Sequence, residues 1–411
     1  GPRFVCQRRA GQAFCRGGAL PLKPSIPHDH KPGRVLKIAL LGTRGIPASY
    51  GGFETFAQQL AVRLVQRGHQ VTVYAEATTQ GVPDTWFEGV RVRHIQRPAW
   101  GPASVIAYDC RCLADAASGY DLVYMLGYGA AWACWWTRKV RGQIVWLNVD
   151  GLEWARSKWG RIARLYLRTM EWVASWSPSR VLADAQAIAD RYMQLYPQAV
   201  PCSFIAYGAQ LPTSTACPTA VLTRWSLREN EYILVVARPE PENHVLEIVQ
   251  GYQRWGGDWP LVVVGNVRPV TPYQKALLAF ASERVRFIGG VYDPDVLMGL
   301  RMGAGCHVHG HSVGGTNPSL LEALACGNVV VAHDNIFNRE VARDAAQYFA
   351  SSDQLAQALA HVYDLDPETR LTLATRARAI VERHYAWEHI TTQYETLMLA
   401  DCAHTAAKAG H

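Results

Sequence analysis

Long apolar runs are missing from this chain. No stretch reaches the ~18–20 consecutive apolar residues that crossing a bilayer requires, so no membrane-spanning helix is expected. The N-terminal segment lacks the compact apolar core of a secretory signal. Paired cysteines are missing as well: the ten cysteines are scattered, without a CxxC pair. That pattern speaks against a disulfide framework and favours reduced thiols in a cytosolic protein. No Cys/His group has zinc-ligand spacing, so no metal is expected. A large excess of one charge is absent too. The net charge of +7 suits anionic small molecules, an anionic membrane surface or nucleic acid, and does not choose among them. The basic residues follow no recognised nucleic-acid fold, so nucleic acid is not an expected partner.

What is present is length and alternation. A chain of 411 residues exceeds one ordinary core, and two domains of roughly 150–200 residues each are expected. Residues 1–34, rich in Gly, Pro and Arg, have no clear period and read as a poorly ordered tail. Regular pattern begins at the apolar run Val35–Gly42. A glycine-rich loop follows, then a helical pattern from Phe53 to Arg67, ended by Gly68, and a strand from His69 to Tyr74. Further strands are expected at Leu122–Met125, Ile144–Leu147, Arg180–Ala183 and Ser203–Ile205. A second series starts at Tyr232–Ala237 and continues through a helix at Val245–Arg254. Its later strands are Leu261–Gly265, Arg284–Ile288, Gly305–His309 and Asn328–Ala332. The Pro- and Ser/Thr-containing stretch Leu211–Asn230 reads as the linker. Strand–helix–strand alternation implies right-handed crossovers and parallel sheets. The expectation is two tandem, doubly wound, Rossmann-like α/β domains at 35–207 and 208–385. They face across a cleft, where ligands bind beyond the carboxyl ends of the strands.

Three motifs carry chemistry. The first is the loop Gly42–Thr55, with Arg44, Gly51 and Gly52 between a strand and a helix. Glycines there let backbone N–H groups and a helix N-terminus approach an anion. The spacing is neither a P-loop nor GxGxxG, and a plain tight turn explains it equally. The second is Ala237–His244, where Arg238 stands at a strand end and can grip a phosphate. A surface pair with Glu240 or Glu242 is the plain alternative. The third is Gly310–Gly327: a strand end, the turn Gly314-Gly315, then Pro318 opening an apolar helix. That helix N-terminus, with Thr316 or Asn317 as cap, would face a diphosphate. Glu322 lies one turn in, on a mostly apolar helix, where a carboxylate needs hydrogen-bond donors. Ribose hydroxyls would serve, and so would a local basic residue.

Together these motifs resemble the retaining glycosyltransferase family 4, of GT-B fold, over residues 36–400. Phe287-Ile288-Gly289-Gly290-Val291 resembles that family's base-contacting turn, with Gly265 at the neighbouring strand end. Tyr385-Ala386-Trp387-Glu388 resembles the start of its C-terminal helix, here 386–411, which crosses back to the first domain. A narrower resemblance, to bacterial β-1,4-rhamnosyltransferases, rests on Gly42–Thr55, Val149–Trp159, Pro241–His244 and His311–Glu322. It implies dTDP-β-L-rhamnose as donor, a lipid-diphosphate-linked saccharide as acceptor, and no metal or other cofactor. The implied donor residues are Gly51, Gly52, Arg238, Asn243, His244, Gly265, Val291, His311, Gly314, Gly315, Thr316, Asn317 and Glu322. Two departures mark this chain. Gly314 stands where the wider family places the first of two glutamates, and Asn243 and His244 fill the stretch where a lysine usually follows the arginine. Both fall at the donor end, where a 6-deoxy sugar asks for an altered pocket. Another family 4 transferase using a UDP- or GDP-sugar is the alternative. A sugar-nucleotide epimerase and a non-catalytic nucleotide-binding protein are alternatives of other classes.

On the acceptor side, Asp150 at a strand end is the candidate for orienting or deprotonating the acceptor hydroxyl, unless it only caps a helix. Tyr192 is a further candidate, with core packing as its plain reading. Arg156, Lys158, Arg161, Arg164 and Arg168 lie among Trp154, Trp159, Ile162, Tyr166 and Met170. Lys158, Arg161, Arg164 and Arg168 form one helical stripe. A basic helix with aromatics suits an anionic membrane surface or a solvated helix packed on its apolar side. The lipid-linked acceptor points to peripheral attachment at the inner face of the plasma membrane.

Overall fold

The computed structural model describes residues 34–48, 51–149, 151, 153–156, 159–213 and 219–409. The tail expected at 1–34 lies, except for Arg34, outside them. The first half contains β1 (Lys37–Leu41), α1 (Gly52–Gln66), β2 (Gln70–Ala77), β3 (Thr85–Phe87), β4 (Val90–Gln96), α2 (Ser104–Asp115), β5 (Leu122–Leu126), α3 (Ala131–Lys139), β6 (Val145–Val149), α4 (Arg161–Ala174), β7 (Arg180–Ala183), α5 (Gln186–Leu195) and β8 (Cys202–Phe204). The second contains α6 (Thr219–Thr223), β9 (Ile233–Val236), α7 (Val245–Trp255), β10 (Leu261–Val264), α8 (Pro272–Leu278), β11 (Val285–Gly289), α9 (Pro294–Met302), β12 (Cys306–His309), α10 (Pro318–Cys326), β13 (Val330–His333), α11 (Ile336–Ala342), β14 (Ala346–Phe349), α12 (Ser352–Tyr363), α13 (Pro367–His384) and α14 (Trp387–Ala409).

Two sheets result. The first has the order β3-β4-β2-β1-β5-β6-β7-β8, the second β11-β10-β9-β12-β13-β14. Every pairing is parallel except β3 with β4. The apolar runs of β1, β5, β9 and β10 follow from burial on both faces, since helices cover each side of a parallel sheet. The order reverses at β1, which lies between β2 and β5, and at β9, which lies between β10 and β12. Crossovers leave such a strand in opposite directions, so a crevice opens at its carboxyl end. The Gly42 loop and Arg238 therefore stand at the two switch points.

The expected strands are present with shifts at their ends. The hairpin β3–β4 and the edge strand β14 are additional. Part of the expected linker is helical, as α6, while residues 214–218 lie outside the described set.

The last helix, α14, returns to the first domain. Arg180 grips Asp401 through two hydrogen bonds, 2.8 and 2.7 Å, and Trp146 Nε1 donates to the same carboxylate at 2.9 Å. Arg67 reaches Glu388 and Glu395, and Trp387 packs near Phe56. One apolar cluster runs from Leu36, Phe56 and Tyr124 through Ala209 and Tyr394 to Leu320, Leu324 and Val381. Leu320, Leu321 and Leu324 of α10 are fully buried there. Each such side chain contributes about 1.5–3 kcal/mol, so the base of α10 is rigid.

Candidate functional site

On the second domain's lip, the chain leaves β9 through Ala237–His244. The Arg238 side chain is 44% exposed, and its nearest carboxylate, Glu240, lies 3.5 Å away. Asn243 is buried behind it. Its amide N–H donates to the Arg238 carbonyl at 2.8 Å, which turns its Oδ1 toward His311 Nδ1 at 2.7 Å. An amide oxygen only accepts. His311 therefore carries its proton on Nδ1 and leaves Nε2 as an acceptor. Burial, with the Arg156 and Arg238 charges, pushes the His311 imidazole down to about 4, so the ring is neutral at pH 7. Nε2 lies 3.2 Å from where a Cβ on Gly314 would sit. A neutral imidazole acceptor thus shares one lip with a half-exposed guanidinium that pairs with Glu240, the plain alternative for Arg238.

The turn after β12 is braced from several sides. Ser312 N and Oγ both donate to the Glu242 carbonyl, at 3.0 and 3.1 Å. Asn335 and Asn338, on the α11 end, donate to the His311 carbonyl at 3.1 and 3.0 Å. Gly314 takes φ +123°, a region open to glycine. A Cβ on Gly151 of the first domain would lie 2.8 Å from Gly314 Cα. At Gly315 a Cβ would fall 2.0 Å from Asp184 Oδ1, and Thr316 Oγ1 donates to the Asp184 carbonyl. The turn is thus pressed against the carboxyl ends of β6 and β7. Asn317 then caps α10 by accepting Ser319 N at 2.9 Å, with Pro318 in the first turn. Ser319 Oγ donates to the Val236 carbonyl at 3.1 Å, which ties α10 to β9.

Glu322 has a partner within the chain, the local basic residue that the sequence allows beside ribose. Its Oε2 lies 2.5 Å from Arg301 Nη2, whose side chain is 4% exposed, against 33% for Glu322. The local basic residue is the structural answer to this carboxylate, and only its exposed edge is left for a ligand.

Gly265 lies at the end of β10, where a Cβ would come 2.1 Å from the Ala237 carbonyl, and its N–H donates to Gly289 at 2.9 Å. Val291 packs its side chain against the small apolar cluster of Leu234 and Val264. Both flank the β9 switch point.

His244, in a left-handed conformation, places Nε2 2.9 Å from Ser312 Oγ and Nδ1 2.8 Å from Glu247 Oε2. Its ring stacks on His333 at 4.1 Å, 20° from parallel. His244, Glu247 and His333 bring three ligand-type atoms within 4.8 Å of one another. Lone pairs in the planes of two stacked rings diverge from a single ion, so this geometry is a hydrogen-bonded stack.

On the first domain's lip, Glu54 Oε1 accepts the Arg44 N–H at 3.1 Å and holds the glycine loop. Arg44 is exposed, and Gly51, at φ +121°, and Gly52 begin α1. Asp150 and Lys158 lie outside the described residues. Tyr192 follows its plain reading, core packing, and not the catalytic candidacy. It is 1% exposed on α5, edge-on to Tyr196, inside the first domain's core. Burial pushes its phenol well above the usual range, and a ring enclosed in this way takes no part in the cleft.

Arg156 also moves. It is a candidate for the acceptor or membrane side, yet Glu153 holds it at 2.6 Å and its charge acts on His311 at the seam. Trp159 Nε1 donates to the same Glu153 at 3.0 Å. Trp154 donates to Glu171 at 2.7 Å, beneath the Arg168 guanidinium at 4.9 Å. Arg161 and Arg164 remain exposed.

Asp184, Asn335, Asn338 and Glu340 belong to the seam and were not anticipated. The helix-start position of Asn335, an N-cap accepting Phe337 and Asn338 N–H groups, was the one local signal available.

Comparisons with known proteins agree with this architecture. Residues 35–210 match a domain of unknown function (DUF1972), and residues 224–379 match Glycosyl transferases group 1. The O-antigen chain mannosyltransferase B of Escherichia coli is 26% identical over 193 residues, 44% of this chain and 49% of that protein. The chain thus spans about half the length of this curated relative. Sucrose-phosphate synthase from Thermosynechococcus elongatus superposes with a TM-score of 0.73 at 19% identity, over 88% of this chain and 98% of that one. Anabaena HepE in complex with UDP-glucose gives 0.69 at 17%, over 88% and 99%. The chain therefore has the GT-B fold, two facing Rossmann-like domains, and carries a group 1 glycosyl transferase domain in its second half.

Proposed function

We propose that the chain is a glycosyltransferase of polysaccharide synthesis that binds a nucleotide sugar between its two domains. The observation that carries this reading is the assembly at the seam. The capped N-terminus of α10, the Gly314-Gly315 turn, half-exposed Arg238 and neutral His311 share one lip, and the turn is pressed against the carboxyl ends of β6 and β7. Helix N–H groups and a guanidinium stabilise a leaving diphosphate. A neutral acceptor nitrogen suits a sugar hydroxyl. The group 1 domain and the O-antigen mannosyltransferase relative support the same class.

In the finer reading, the donor is dTDP-β-L-rhamnose, the acceptor is a lipid-diphosphate-linked saccharide, and transfer proceeds with retention. The bond from the sugar's anomeric carbon to the diphosphate breaks through an oxocarbenium-like state. The acceptor oxygen bonds on the same face, and its proton leaves toward the departing phosphate or Asp150. Arg238, the amides of Gly314–Asn317 and the Gly51-Gly52 loop take up the diphosphate charge. The absence of an acid at position 314 supports a deoxysugar. A UDP-hexose is the second reading, favoured by the likeness to HepE in complex with UDP-glucose.

The outer face of the first domain supports membrane contact. Among the described residues no helix is long and apolar enough to cross a bilayer. On α4, Arg161, Arg164 and Arg168 alternate with Ile162, 88% exposed, and Leu165, 70% exposed. Neighbouring α3 presents Trp132, Trp135 and Trp136 outward. The only acid on either helix, Glu171, is buried. Such a surface matches an anionic interface.

A donor screen tests the function. Purified protein is incubated with dTDP-rhamnose, UDP-glucose and GDP-mannose, with and without a lipid-diphosphate-linked sugar, and nucleotide release is measured. Acceptor-dependent release supports transfer and names the donor. Conversion of the donor without acceptor would make the protein an epimerase, and no release with any donor would leave only nucleotide binding.

A further inference from the structure

Helix α5 starts without a cap of its own. The residue before it, Ala185, is extended and has no side-chain oxygen to offer. The first two N–H groups, of Gln186 and Ala187, donate instead to the two carboxylate oxygens of Glu340, at 2.8 and 3.2 Å. Glu340 is on α11, in the other domain. A carboxylate there satisfies orphan donors and meets the positive end of the helix dipole. Phe337, one turn earlier on α11, packs against the first domain's core beside it.

This contact is joined to the Gly314-Gly315 turn by two routes. In the second domain, Asn335 and Asn338 of the same α11 end hold the His311 carbonyl. In the first, α5 is preceded by Asp184, which receives Thr316 and stands against Gly315. The path from His311 through α11, Glu340, α5 and Asp184 back to Thr316 crosses the seam twice and closes on itself. We infer that Glu340 is a positioning residue: by capping α5 across the seam it sets domain closure and holds the 311–317 turn in place. Its consequence for nucleotide binding rests on the donor-site reading above, whereas the cap and its effect on the turn do not.

Amide hydrogen exchange separates this role from plain helix capping. Glu340→Ala is compared with wild type, with Glu340→Gln, and with Glu340→Ala combined with Ala185→Ser, which gives α5 a cap of its own. In Glu340→Ala, amides at 186–190 and at 311–317 are both expected to exchange about fivefold faster, the factor corresponding to one helix cap. Glu340→Gln keeps an acceptor oxygen and should fall between. Adding Ala185→Ser should restore the 186–190 amides and leave 311–317 fast. UDP and dTDP binding, titrated on the same proteins, should weaken in Glu340→Ala and stay weak in the double variant. The inference is overturned if 311–317 keeps wild-type exchange in Glu340→Ala, or if Ala185→Ser restores both segments. Should wild type bind neither nucleotide, the donor reading fails, and the exchange pattern still decides the role of Glu340.

Discussion

Two helix N-termini meet across the domain seam and are completed in different ways. Helix α10 carries its own cap, Asn317, and its own proline, and is fastened to β9 through Ser319. Helix α5 has alanine at the cap position and takes both acceptors from Glu340 of the opposite domain. The first end is therefore complete with the domains together or apart. The second is complete only when they meet. A cleft that must admit and release a ligand benefits from this division: one lip prebuilt, the other finished by closure.

The largest effect should come from forcing the two ends apart. In Gly315→Ala the new Cβ would overlap the buried Asp184 carboxyl, with Oδ1, Cγ and Oδ2 at 2.0, 2.5 and 2.6 Å. The carboxyl and the 311–317 turn must move apart, and a shift of the turn by about an ångström is enough to lower turnover by about 100-fold. Stability should change far less, since α10's own cap and core contacts stay. Nucleotide release measured beside a thermal melt checks this. Near-normal turnover would mean that the seam is not the working geometry.

Next comes the prebuilt lip. Glu322→Ala leaves the Arg301 guanidinium buried without its carboxylate. Losing one partner of a fully buried pair costs about 3–5 kcal/mol, and the one-third exposure of Glu322 reduces this to about 2 kcal/mol. Urea unfolding should show the loss. A smaller value would mean that the Glu322 carboxylate is held for a ligand rather than for Arg301. Asn317→Ala should cost about 1 kcal/mol, an ordinary cap. That loss should be the same whether or not Glu340 is present, because α10 does not borrow across the seam. Coupling between the two substitutions would erase the contrast between the lips.

The parts of this arrangement that are local in sequence were legible. The apolar runs gave the strands, and Pro318 after a glycine turn marked the start of α10. Hairpin β3–β4 was not legible because Thr85–Phe87 is short and its pattern is largely exposed. β14, Ala346–Phe349, is an edge strand with a polar residue and no apolar run. The packing reading of Tyr192 was local as well: Ile188, Ala189 and Tyr192 share one helical face, the spacing of a buried stripe. The contacts between Glu340 and α5, and between Asp184 and the glycine turn, join residues more than a hundred positions apart. No spacing rule reaches them, since they depend on how the two sheets face each other. Arg156 shows the same limit: it was a candidate for the acceptor or membrane side, and only its pairing with Glu153 and its charge beside His311 place it at the seam.

The smallest expected effect concerns protons on the prebuilt lip. His311 titrates near 4 and buried His307 near 3, both below the usual 6.5 because burial disfavours the charged ring. In the unfolded chain these rings take up protons as pH falls through 6.5, while in the folded protein they do not. The unfolded state thus binds more protons between about pH 6.5 and 4. Their contribution to stability is fully present above 6.5 and is lost as pH falls toward 4. The melting temperature should therefore drop by a few degrees between pH 7 and 5. His311→Gln, which keeps a polar group of similar reach, should flatten that slope while His307 still contributes. Parallel pH profiles for the two proteins would mean that His311 is already solvated and the lip is open. A bound nucleoside diphosphate should act in the opposite sense. Its negative charge offsets Arg156 and Arg238, raises the His311 pKa and draws in a proton on binding at pH 5. That uptake, read calorimetrically from buffers of different ionisation heat, should vanish in His311→Gln, placing the diphosphate beside the lip that is built before the domains close.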